Sequence, residues 1–268
     1  MCEIFAMSSR HPTAVTLSMG ALARHGRPGG HLDDGWGVAF HDGADASLLR
    51  EPGAAGDSPL LRLLADRPPR AALVLAHIRH ATQGTRGLRN TQPFARELGG
   101  RMHVFAHNGN LLGQPPARGR FRPVGETDSE TAFCRLLDRL APLWAGGVPP
   151  LADRLGALAG LAAELRALGP ANFVYTDGDA LFAHGDRRIQ PDGRVAPPGL
   201  MLLERACDMD PEVLSPASSD LAGIDLAQGI SGQHVALVAS VALSAEPWRA
   251  LRQGEMVAIR GGVVEHAG

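Results

Sequence analysis

Lysine is absent from the 268 residues; all 26 basic Lys/Arg side chains are arginine. That excludes a Schiff-base lysine and a lysine general base. Cysteine is scarce: Cys2, Cys134 and Cys207 make an odd, small set without a paired framework, so a reducing compartment is expected. An excess of either charge is missing too. The formal net charge is -2, the pI is about 6.6 and there is no basic stripe, so no nucleic-acid partner is expected. Long hydrophobic runs are also lacking. The longest apolar stretches, such as Val235–Leu243, are far too short to span a bilayer. The first dozen residues show no basic region followed by an apolar one, as a signal peptide would. These absences describe a cytoplasmic protein without a membrane partner.

What is present is enough apolar material, 44% of the chain, to bury a sizeable core, and residues 1–268 read as one domain. Strands are predicted at Cys2–Met7, Gly35–His41, Leu73–Arg79 and Met102–His107. Helices are predicted at Thr13–His25, with Gly26 as its stop, and at Asp57–Asp66, with Asp57 or Ser58 as cap and Pro59 in the first turn. Asp128–Leu140 is the clearest helix, because Ala132, Phe133, Leu136, Leu137 and Leu140 share one face. Leu151–Leu168 is an Ala/Leu-rich second. Further strands are predicted at Asn172–Thr176, Ala180–Ala183, Val235–Val241, Met256–Arg260 and Val263–Glu265. Residues 112–125, 186–199 and 206–232 read as loops. Strands, then helices, then strands, points to α+β with antiparallel sheets, not regular βαβ alternation.

Five short stretches carry chemistry. Cys2 follows the initiator Met1, and removal of Met before a small residue would leave a terminal cysteine owning both a thiol and an amine of pKa about 8 able to take its proton. Taken singly, Cys2 reads more simply as a small apolar residue packed in a first strand. Arg79, in His77-Ile78-Arg79-His80-Ala81-Thr82-Gln83-Gly84, stands at a strand end where its fork can hold a carboxylate; the commoner use is a surface arginine. His107-Asn108-Gly109-Asn110 is a hairpin signal. The same turn can aim the Asn108 amide and the Gly109 N–H at one point, as an oxyanion hole does. Gly125-Glu126-Thr127-Asp128-Ser129-Glu130 reads as helix capping, or as an Asp128 that accepts an α-ammonium. Asp33-Asp34-Gly35-Trp36-Gly37 reads as a turn before a strand with a core tryptophan. His77, His80, His103 and His107 suggest a metal only weakly, since no carboxylate–histidine motif accompanies them, and no metal or cofactor is expected. Cys134 and Cys207 read as structural.

In this order, Met-Cys, Asp-Gly-Trp-Gly, Arg-His-Ala-Thr, His-Asn-Gly and Glu-Thr-Asp-Ser-Glu resemble the class-II glutamine amidotransferases, whose catalytic domain is an N-terminal-nucleophile hydrolase. The likeness is greatest to the short, stand-alone bacterial type and runs through "NTQPFARELGGR", "FRPVGETDSETAFCRLL" and "EPWRALRQGEM". The resemblance implies a four-layer αββα sandwich of two mainly antiparallel sheets. It also implies that Cys2 is the nucleophile with its own amine as base, and that Asn108 and the Gly109 N–H form the oxyanion hole. Arg79 would hold the glutamine α-carboxylate with Thr82 beside it, and Asp128 the α-ammonium. Many relatives carry Trp after the Arg and His after the Thr, where this chain has His80 and Gln83, a departure that bears on the lid and not on the charge clamp. A zwitterion ending in a neutral amide needs one cation, one anion, a nucleophile and an oxyanion trap, and these residues supply all four.

No phosphate-cradling glycine loop is seen elsewhere, so the ammonia acceptor is expected on a separate partner enzyme. The expected ligand is glutamine or another γ-glutamyl small molecule. Three readings stay open: a glutaminase, a hydrolase of another γ-glutamyl amide, and a silent glutamine-binding module.

Overall fold

A computed structural model describes residues 2–15, 34–81, 83–207, 224–225 and 232–268. The first strand, β1 (Glu3–Val15), is the spine of one sheet. Its alternation is strict at the start: Ile4 and Ala6 enter one apolar cluster, Phe5 and Met7 another. A strand buried on both faces must be central. It pairs antiparallel with β4 (Arg70–Ile78) on one side and β13 (Gln233–Ala239) on the other. The sheet continues through β2 (Trp36–Asp42) to β3 (Asp45–Glu51), and on the opposite side through β11 (Met201–Cys207) to β14 (Arg249–Ala250). The short β12 (Ile224–Asp225) also pairs with β1.

The second sheet runs β16 (Val263–Ala267), β15 (Met256–Arg260), β8 (Leu181–His184), β7 (Ala171–Thr176), β6 (Arg101–Gly109), β5 (Phe94–Leu98). A ribbon of β9 (Arg188–Ile189) and β10 (Val195–Ala196) stands apart. All of these pairings are antiparallel.

The two sheets stack through Ile4, Ala6, Leu75, Val104, Val174 and Val257. On the outer face of the first sheet, α1 (Pro59–Asp66) packs Leu61 against Phe5, Met7 and Trp36. Its cap is Ser58, whose Oγ accepts the Leu61 N–H at 3.0 Å, with proline in the first turn. On the outer face of the second sheet lie α2 (Asp128–Leu140) and α3 (Leu151–Arg166). Phe133, Leu136 and Leu140 of α2 meet Phe105 and Phe173, with the Phe105 and Phe133 rings stacked at 5.4 Å. This is the expected αββα order.

Some expectations change. Thr13–Val15 are strand, not the start of a helix, because Thr13 and Ala14 pair with Ala71 and Arg70, and Ala14 and Val15 with Asp225 and Ile224. Tertiary pairing overrides a helical period here. Residues 16–25 of that expected helix lie outside the described residues. The expected loops 186–199 and 206–232 contain the β9–β10 ribbon and β12, and β11 enters the latter. The strands β3, β5 and β11 were not foreseen.

Candidate active site

The register of β1 decides where Cys2 goes. Glu3 pairs with Ile78, so Cys2 arrives beside the end of β4. There its Sγ meets the backbone of His80: the His80 N–H donates to Sγ at 3.1 Å, and the thiol donates to the His80 carbonyl at 3.2 Å. Burial pushes the Cys2 thiol pKa up, and the His80 N–H pulls it back.

The end of β6 comes to the same place from the facing sheet. The Asn108 Nδ2 donates to the Cys2 carbonyl at 2.5 Å, and stands 3.4 Å from Ser240 Oγ. The Asn108 carbonyl accepts from Asn172 on β7 at 3.0 Å. Asn108 and Gly109 pair with Asn172 and Ala171, so the Asn-Gly step ends a strand and does not make a two-residue hairpin. The glycine is needed for approach: a Cβ at 109 would lie 1.8 Å from the Pro170 carbonyl oxygen.

Arg79 is buried, and its fork is occupied. Nη1 donates to the carbonyls of Asp34 (3.2 Å) and Thr85 (3.4 Å), and Nη2 to those of Gln83 (2.9 Å) and Gly84 (3.1 Å). It therefore organises the loop that follows its own strand. Asp34 completes that loop by accepting the Ala81 N–H at 2.8 Å. Thr82 lies outside the described residues.

Asp128 opens α2 behind the Thr127 cap, which accepts the Glu130 N–H. Its Oδ2 accepts the Leu111 N–H at 2.7 Å, and its Oδ1 the Ser129 N–H at 2.8 Å. Ser129 Oγ in turn meets His107 Nδ1 at 2.9 Å. Two bridges join the arginine loop to this side. Gln83 Nε2 reaches Asn110 Oδ1 at 2.5 Å, and Glu126 accepts from Thr85, Arg89 and Asn90. These bonds, together with short stretches of chain, link the described motif residues, although Arg79 and Asp128 do not touch.

A model of the class-II glutamine amidotransferases matches residues 1–268. The chain belongs to that family. YafJ of Escherichia coli strain K12, whose name assigns it provisionally to the glutamine amidotransferases, is 39% identical over 214 residues, covering 80% of this chain and 83% of YafJ. The crystal structure of a predicted glutamine amidotransferase from Pseudomonas aeruginosa PA01 superposes with a TM-score of 0.71 at 31% identity, over 99% of this chain and 100% of that one. Glutamine phosphoribosylpyrophosphate amidotransferase from B. subtilis shares the fold at a TM-score of 0.59 and 16% identity; this chain spans 49% of it.

Within this amidotransferase, among the described residues, the hydrogen bonds of Cys2 Sγ run to the backbone of His80 and to no histidine ring. His80 meets Sγ by its backbone, and its ring Nδ1 stands 3.9 Å from the Asp34 carboxylate. His107 is turned to Ser129 and the Pro170 carbonyl. Burial drives the His77 pKa down to about 3, so that ring is neutral at pH 7. His103 is held by Tyr175 and the Leu98 carbonyl. Among the described residues no group of three or more His, Cys, Asp or Glu could hold a metal ion, and no helix is long and apolar enough to cross a membrane. Cys134 is buried in α2. Motif reading passed over Glu3, Arg188 and Ser240, a buried cluster that begins one residue from Cys2. The signal was there: a carboxylate heading the apolar run Ile4–Met7.

Proposed function

We propose that this amidotransferase hydrolyses the side-chain amide of glutamine through Cys2, made N-terminal by loss of Met1. The observation that carries the reading is the meeting of Cys2 with Asn108 across the two sheets, 106 positions apart in sequence. A core cysteine and a strand-end asparagine have no structural need to meet there.

The Cys2 amine, with a reference pKa of about 8, takes the thiol proton as Sγ attacks the amide carbon. The carbonyl π pair moves to oxygen, and the oxyanion is stabilised by Asn108 Nδ2 and the Gly109 N–H. One Asn108 N–H already serves the Cys2 carbonyl. The other faces Ser240 Oγ at a long 3.4 Å, the contact an oxyanion would replace. The C–N bond then breaks, the protonated amine returns its proton to the nitrogen, and ammonia leaves. Water gives a proton to the Cys2 amine as it adds to the thioester in the same site; the thiolate leaves and takes that proton, and the carboxyl group formed ionises to give glutamate.

Arg79 serves the substrate α-carboxylate and Asp128 the α-ammonium. Because Nη1 and Nη2 of Arg79 now hold carbonyls of residues 34 and 83–85, substrate binding exchanges those contacts and moves the loop. Ammonia passes to an acceptor on a separate partner enzyme. The test is ammonia release from glutamine, beside amine release from a panel of γ-glutamyl amides, in wild type and Cys2→Ala. Ammonia from glutamine that disappears in Cys2→Ala supports the reading. Undiminished release in Cys2→Ala defeats it, and release from another γ-glutamyl amide alone replaces glutamine as substrate.

A further inference from the structure

Behind Cys2 lies a buried polar cluster that the hydrolytic steps do not use. Glu3 is fully buried in an apolar strand. Its carboxylate is held by both arms of Arg188, with Nη2 to Oε1 at 2.7 Å and Nη1 to Oε2 at 3.3 Å. Arg188 belongs to the β9–β10 ribbon, and its Nη1 also donates to the Ser240 carbonyl. The Ser240 hydroxyl accepts the Ile4 N–H at 3.0 Å and stands 3.4 Å from Asn108 Nδ2. The Ser240 N–H donates to the Ile4 carbonyl at 3.0 Å.

Two physical arguments give this cluster a task. Burying an ion pair costs desolvation that the pairing often fails to recover, so stability alone is a poor reason to keep one. A first residue with a neighbour on one side only is prone to fray. A mature Cys2 would be such a residue, and it must hold its position to within a fraction of an ångström for attack. Residue 3 is pinned by Arg188, residue 4 by Ser240, and the same Ser240 reaches the asparagine opposite Cys2.

We propose that Glu3, Arg188 and Ser240 are positioning residues that hold Cys2 against Asn108. The proposal rests on Cys2 being the nucleophile. Besides Glu3 on its own strand and the chain's amino terminus, the charged group that reaches Cys2 is Arg79, just beyond the end of β4, with the His80 backbone at the sulfur. A bidentate pair brings a carboxylate and a cation together, so it anchors the strand with little net charge beside the thiol and the amine.

The test uses the mature chain carrying Glu3→Gln/Arg188→Met, which leaves no unpaired buried charge. Three quantities are read: the thermal unfolding midpoint, kcat and KM for glutamine, and the pH profile of iodoacetamide labelling on the N-terminal peptide. The expected result is a folded protein whose kcat falls about tenfold or more with KM nearly unchanged. Its labelling profile moves to lower pH, because a frayed Cys2 loses the burial that raises its thiol pKa. A folded variant with wild-type kcat and labelling profile overturns the proposal. If the double variant does not fold, Ser240→Ala and Ser240→Thr decide it. Loss in Ala with recovery in Thr supports positioning, and wild-type behaviour of Ser240→Ala overturns it. Wild-type ammonia release that survives Cys2→Ala sinks the nucleophile reading instead. The labelling profile needs no substrate and still reports whether the cluster places Cys2.

Discussion

Gly109→Ala is the sharpest perturbation available at the candidate oxyanion site. The new methyl group would start 1.8 Å from the Pro170 carbonyl oxygen and 2.7 Å from His107 Nε2. Real Cβ atoms essentially never lie within 3.0 Å of such a neighbour, so the strand end must move by at least about 1 Å, and the obstacle at Pro170 is backbone that cannot swing away. Overpacking of this kind costs about 1–3 kcal/mol of stability. Gly109 pairs with Ala171 and sits one residue from Asn108, so the shift is passed to both proposed oxyanion donors. A displacement of about 1 Å is worth on the order of 100-fold in rate, or about 2.7 kcal/mol of transition-state stabilisation. The assay is ammonia release at saturating glutamine together with urea unfolding. The expected result is a folded protein, modestly destabilised, with kcat down about 100-fold. Stability and kcat both within twofold of wild type would refute the steric argument and the assignment of Gly109 together.

Asn108→Ala should lower kcat by about 10²–10³, the usual cost of one oxyanion donor, measured under the same conditions. Arg154→Met should lower stability by about 3–5 kcal/mol, because Asp177, fully buried and bonded to Arg154 at 2.8 Å, would be left without its cation; urea unfolding measures it. His77 is neutral in the fold with a pKa near 3, against about 6.5 when unfolded, so the unfolded chain binds a proton first as pH falls. Its contribution is intact above pH about 6.5 and is lost between there and about 3. His41 and His103, each near 4, act in the same direction. The unfolding free energy from urea titration should therefore fall from pH 7 to pH 5, by an amount on the order of 1–2 kcal/mol for each histidine, and a flat profile would contradict it.

Much of the fold was legible because its pattern is local. Ile4/Ala6 against Phe5/Met7 alternates with period two, and Phe133, Leu136, Leu137 and Leu140 recur with period 3.6. Both periods survive in the packed layers. The helix expected from Thr13 failed at its start because β4 and β12 supply strand partners no local pattern reports. The strand β3 follows Asp42-Gly43, where Gly43 has φ 61°, so its turn was readable although its half-exposed residues hid the strand. At the site, the motifs named Cys2 and Asn108, whose contact is the clearest feature. They gave no sign that the Arg79 fork would be folded onto residues 34 and 83–85. Nor could they pair Glu3 with Arg188, 185 positions away, because such pairing is set by tertiary register.

On the proposed mechanism, Cys2 works with its own free amine. The most direct measurement compares ammonia release from glutamine by a protein beginning at Cys2, verified by intact mass, with the same protein keeping one residue ahead of Cys2. Both retain the thiol, but only the first has the cysteine amine available as base. Turnover is expected in the first and none in the second, with His77→Ala, His80→Ala and His107→Ala each retaining some activity. Equal turnover in both, together with complete loss in one histidine variant, would contradict that mechanism and make the enzyme a Cys–His hydrolase.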